Sequence, residues 1–100
     1  MTDKIAQIKK ILSKIKLEKI IKYLAANPQS KTLKRIIRYS QRAWESEDQA
    51  ETFKLTARVA YHLDTICDPN KAGYVKSEEE KKYWLAISGE LFEETVGKKT

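Results

Sequence analysis

Residues 31–44, KTLKRIIRYSQRAW, separate their apolar and charged positions more cleanly than any other stretch of the chain. At about 100° per residue, Leu33, Ile36, Ile37, Ser40, Ala43 and Trp44 share one side of a helix, while Lys31, Lys34, Arg35, Arg38 and Arg42 fall on the other. Such a segment needs an apolar neighbour for the first side and leaves the second to water. The cation stripe spans ~16 Å at ~1.5 Å per residue, long enough to meet several consecutive phosphates of a nucleic-acid backbone.

Three Gly and two Pro in 100 residues leave little turn material. The expected architecture is therefore all-α, a four- to five-helix bundle with residues 1–100 in a single helical domain. With 41% hydrophobic and 34% charged residues the composition suits a globule and not a disordered chain. The lone Cys67 cannot form an internal disulfide and fits a reducing compartment. The start, MTDKIAQIKK, has no uninterrupted apolar run, so neither a secretory signal nor a membrane span is expected, and a cytoplasmic location is.

Charge is distributed unevenly. Residues 1–44 carry 12 Lys/Arg against Asp3 and Glu18, a balance of +10, whereas residues 45–100 carry 8 Lys/Arg against 12 acids, a balance of −4. A basic half beside an acidic half suggests one surface for polyanions and another for basic neighbours.

Residues 3–26 contain no helix breaker, yet their apolar phase changes. Ile5, Ile8, Ile11, Leu12 and Ile15 share one face, and Leu17, Ile20, Ile21 and Leu24 point nearly opposite. The shift predicts a bend or a change of packing partner near Lys16. Asn27-Pro28-Gln29-Ser30 then stops one helix and starts another, with Ser30 as the cap. The result has a helix–turn–helix look, but cations spread along the whole second helix suit phosphates better than base edges. Ser46-Glu47-Asp48-Gln49 reads as a capping box opening a helix over about 47–67, with one unbroken helix over Thr32–Asp64 as the alternative. That helix is apolar around most of its circumference and should lie at the centre, with Ala57 and Ala60 admitting a close neighbour. Ser77-Glu78-Glu79-Glu80 signals a last helix ending near Val96, with Gly97 as its stop and Trp84, Ile87, Ser88, Leu91, Phe92 and Thr95 facing inward.

The connection over residues 68–79, DPNKAGYVKSEE, resembles an EF-hand calcium loop with Asp68, Asn70, Gly73 and Glu79 in register. Ala72 removes the oxygen expected at the fifth position and Lys76 puts a cation at the ninth, so a capped interhelical turn is the simpler reading. His62 and Cys67 are single representatives of their types, so no His/Cys zinc cluster can be assembled. Arg58 and His62 resemble the Arg-then-His pairs of helical ribonucleases, at a shorter spacing than that family's. No nucleophile is paired with His62 by a motif, and a packed or solvent-edge histidine is expected. Neither an enzyme nor a cofactor is expected, nor a small-molecule substrate or a membrane partner. Tyr39 and, less so, Tyr23 lie where they could stack on bases beside Lys22, Arg35, Arg38 or Arg42, while Trp44 and Trp84 read as core.

A helical chain of this length, basic through K31-T-L-K-R-I-I-R38 and acidic in its other half, resembles the small helical subunits of CRISPR effector complexes. The resemblance rests on size, helicity and charge layout, and implies a subunit of an antiviral ribonucleoprotein that contacts protein neighbours or further copies of itself. The expected function is sequence-independent binding of an RNA or DNA backbone through Lys31, Lys34, Arg35, Arg38 and Arg42, with Tyr39, Lys22 and the lysine-rich segment 9–22 extending the track. The alternative is an adaptor or inhibitor whose basic face docks an acidic protein.

Overall fold

A computed structural model of the chain describes residues 4–75 and 80–97, which form five helices and no strand. They are α1 (Lys4–Leu12), α2 (Leu17–Ala26), α3 (Lys31–Glu45), α4 (Gln49–Ile66) and α5 (Lys81–Thr95). The all-α bundle expected from the breaker-poor sequence is what these residues build. It measures 42 × 31 × 19 Å, so along its thinnest direction it is about two helices deep.

The change of apolar phase near Lys16 is a true break. After Leu12 the backbone tightens into i→i−3 bonds, Lys14 N–H to Ile11 and Ile15 N–H to Leu12, and Lys16 leaves the helical region before α2 begins. Neither Gly nor Pro is involved. Rotating the chain at this corner lets Ile8, Ile11 and Leu12 of α1 bury against α3, α4 and α5, while α2 turns Ile20 onto α3. Ile21, expected on the inner side of α2, is instead 53% exposed.

Ser30 caps α3, its hydroxyl accepting from the Leu33 N–H at 3.2 Å. The helix ends at Ser46, so the single helix over Thr32–Asp64 does not form. The capping box is also displaced. Ser46 N–H still bonds Arg42 C=O and so closes α3, and the cap of α4 is Asp48, whose carboxylate accepts from Glu51 N–H at 2.9 Å. An ionised acceptor suits the positive end of a helix better than a hydroxyl does.

Helix α4 is the central element, packed on α3, α5 and α1, with Leu55, Val59, Ala60, Leu63 and Ile66 buried. Ala60 brings α5 close enough for Ser88 Oγ to donate to its carbonyl at 2.7 Å. Val75 returns the following loop to the core, its N–H bonding Ile66 C=O at 2.9 Å. Within that loop Asp68 Oδ1 accepts from Asn70 N–H at 2.9 Å, a local turn, while Lys76 and Glu79 lie outside the described residues. Gly73 does not adopt a positive φ, and its role is packing: a Cβ there would collide with Thr32 Oγ1 and Thr65 Cγ2. Of the last helix's start signal, Ser77 to Glu79 also lie outside the described residues, and α5 runs from Lys81 with Trp84, Ile87, Ser88 and Leu91 inward. Gly97 stops it at φ +93°, where its N–H and that of Val96 both reach Phe92 C=O.

Candidate nucleic-acid interface

Leu33, Ile36, Ser40 and Ala43 of α3 are all buried, which fixes the helix's rotation and turns Lys31, Lys34, Arg35, Arg38 and Arg42 outward. All five are exposed, and among the described residues none forms an ion pair. The stripe expected from the 31–44 periodicity is therefore intact. Lys22 of α2 is likewise exposed and outside every ion pair of the described residues.

The rest of the basic half behaves differently. Lys4 pairs with Glu94 at 2.9 Å, Lys14 with Glu90 at 3.2 Å and Lys19 with Glu80 at 2.6 Å, while Lys16 stands over the Tyr83 ring at 4.9 Å. Within the extension expected along residues 9–22, Lys14 and Lys19 are therefore paired and Lys16 lies on a ring, while Lys9, Lys10 and Lys22 stay outside every ion pair of the described residues. The acids of the C-terminal half and the lysines of the N-terminal half meet within one chain, because α1 lies along α5. Separate basic and acidic outer surfaces do not result there, and the longest run of cations outside every ion pair of the described residues is the one on α3.

On the α4 side of the stripe, Tyr39 is half-buried and stacks on His62 with ring centroids 6.0 Å apart and planes 22° off parallel. Arg58, one turn before His62 on α4, stands 5.8 Å from the Tyr39 centroid. Tyr61 adds an edge contact to His62 at 5.6 Å. With Arg35 and Ala57 these residues line a cleft of about 370 Å³ between the two helices. The His62 imidazole is held below its ordinary pKa, first by partial burial and then by repulsion from Arg35 and Arg58. His62 is the solvent-edge histidine expected, and it is neutral at physiological pH. Neither Tyr61 nor the contact of Arg58 with Tyr39 is foreshadowed by a motif in the sequence. The available signal was their position beside His62 on a helix whose neighbour also carries Arg35.

Two aromatic assignments change. Trp44 is 50% exposed instead of core, because the α1–α2 corner stands off from the end of α3 and leaves a groove of about 500 Å³ lined by Leu12, Ile15, Leu17 and Trp44. Tyr23 is not available for stacking, since its hydroxyl sits between the Trp84 indole and Glu80. Burial first, then donation to Glu80, pushes the Tyr23 pKa up to about 12, and hydrogen bonds from Lys19 and Tyr23 hold the Glu80 carboxyl below its usual value. Trp84 is fully buried, as expected.

Among the described residues no group of three or more His, Cys, Asp or Glu side chains is arranged to hold a metal, and no helix is long and apolar enough to cross a membrane. No family model, curated protein or solved structure matches the chain.

Proposed function

We propose that the protein binds the sugar–phosphate backbone of nucleic acid without sequence preference, through Lys31, Lys34, Arg35, Arg38 and Arg42 of α3, with Lys22 of α2 as a further contact. The role is non-enzymatic, that of a small subunit in a larger nucleoprotein. The observation that carries this reading is the continuity of the stripe: five exposed cations follow one another on one face of α3, and none has a carboxylate partner among the described residues, whereas Lys4, Lys14 and Lys19 have one. Charges left uncompensated on one rigid helix form a field suited to a polyanion, and each phosphate they neutralise releases counterions. A stripe of ~16 Å is weak alone, so incorporation beside protein subunits, as in assemblies of the CRISPR effector kind, would multiply its effect.

The test is titration of labelled oligonucleotides by fluorescence anisotropy at about 50 and about 200 mM salt. Five phosphate contacts correspond to a log–log slope of roughly −3.5 on a single strand to −4.5 on a duplex, an affinity loss of roughly 100- to 500-fold over that range. The double variant Arg38→Glu, Arg42→Glu should flatten the slope. Absence of binding at the lower salt would reassign the same cations to an acidic protein partner.

A further inference from the structure

Beside the stripe, the α3–α4 cleft combines features that backbone binding alone does not use. Three aromatic rings, Tyr39, His62 and Tyr61, follow one another from α3 to α4. Arg35 stands on one lip and Arg58 on the other, both exposed and both without an ion-pair partner among the described residues. Lys71 Nζ stands over the Tyr61 ring at 4.8 Å but does not line the cleft, and 52% of the tyrosine's surface stays exposed. Ala57 is too small to fill the space between the lips. We infer that this cleft receives an unpaired nucleotide, its base on the exposed Tyr61 ring, which meets His62 edge to face, and its phosphate between Arg35 and Arg58, so that the protein prefers single-stranded to duplex nucleic acid.

The inference rests on the backbone-binding reading, since the strand must first be held along α3, but it makes a separate demand. Phosphate contacts are indifferent to whether a base is present. Stacking requires a base whose face is open, and in a duplex both faces are already covered by neighbouring pairs. Every base has such a face, so the cleft confers strand selectivity without reading sequence. Arg35 belongs to both features, which places the cleft in line with the stripe and lets one strand pass from one to the other. DNA and RNA offer the same two groups here.

The two demands are separated by comparing oligo-dT and oligo-U of about ten nucleotides, a site size in the usual range, with an abasic strand carrying the same number of phosphates. The wild-type protein is expected to bind the base-bearing strands roughly tenfold or more tighter than the abasic strand. Tyr61→Ala should abolish that ratio while leaving abasic binding unchanged, and because the ring is half exposed the variant should fold. Arg58→Gln gives a second variant, expected to weaken both kinds of strand but the base-bearing kind more. Equal wild-type affinity for base-bearing and abasic strands, with a steep salt slope, would overturn the cleft and leave the stripe standing. A ratio that survives Tyr61→Ala would likewise overturn it. Failure of all strands to bind would remove both.

Discussion

The Trp84 indole N–H donates to the Tyr23 hydroxyl at 3.2 Å, and that hydroxyl donates onward to the Glu80 carboxylate. Helix α2 is thereby fastened to α5 through a polar relay whose base, Trp84, is completely buried. Lys19 closes the relay by pairing with Glu80 from the same side of α2. Tyr23→Phe keeps the ring and removes both hydrogen bonds, leaving the indole N–H without its acceptor. The expected cost is about 1–3 kcal/mol, which lowers the melting temperature by roughly 4–8 °C per kcal/mol for a domain of this size, measured by circular dichroism.

The same relay shapes stability at high pH. Tyr23 holds its proton up to about 12 in the fold but releases it near 10 when unfolded. Its contribution is complete below about 10 and is lost as pH rises toward 12, since the unfolded chain there binds fewer protons than the folded one. Wild type should therefore lose melting temperature faster than Tyr23→Phe across that window. Parallel curves would show that the tyrosine proton is not held.

The two tryptophans occupy opposite environments, 0% exposed for Trp84 and 50% for Trp44. Trp84→Ala empties a fully buried site beside Tyr23 and is expected to cost about 3–5 kcal/mol, whereas Trp44→Ala should cost under about 1 kcal/mol. In the Trp84→Phe variant the remaining emission should be red-shifted and readily quenched by acrylamide. A blue, quench-resistant spectrum would place Trp44 in the core after all.

Gly73 packs where a side chain has no room, between Thr32 at the start of α3 and Thr65 near the end of α4. Gly73→Ala must push one of them aside. Destabilisation of about 1–3 kcal/mol is expected in urea unfolding, with no change in the cations of α3 and hence none in the salt slope of binding by the folded fraction.

How far the sequence spoke for itself depended on whether one helix held the information. The amphipathic repeat of 31–44 specified both the buried face and the exposed cations of α3, because a helix with one apolar side has one way to sit. Two opposed apolar faces around Lys16 likewise announced the break between α1 and α2. What escaped was relational. Trp44 shares its phase with Ile37, and only the stand-off of the α1–α2 corner uncovers it. Charge counts by halves could not reveal that α1 lies along α5, so that Lys4 and Glu94 cancel. Ser46 fits a capping motif as well as Asp48 does, and the choice turned on where α3 finishes. Gly73 suited a calcium loop by spacing, but its reason lies in two threonines from other helices. The cleft combines residues 35–39 with 57–62, which no local pattern connects.

His62 supplies the last expectation. It is neutral at physiological pH because burial and the flanking Arg35 and Arg58 oppose its protonation. An unfolded chain has none of these, so below about pH 6.5 it takes up the proton first. The imidazole's contribution to stability is thus intact above about 6.5 and is lost as pH falls toward the depressed folded value. A phosphate seated between Arg35 and Arg58 would offset their charge and make protonation easier. The complex would then bind a proton that the unliganded protein does not, and linkage requires affinity to rise as pH falls through that interval. A phosphodiester does not titrate in that interval, so the effect is assigned to His62. Anisotropy titrations at about pH 7.5 and about pH 5.5, at one salt concentration, should show tighter binding at the lower pH, and His62→Asn should remove most of the difference. An equal gain in His62→Asn would trace it to another group, and no gain would place the phosphate elsewhere.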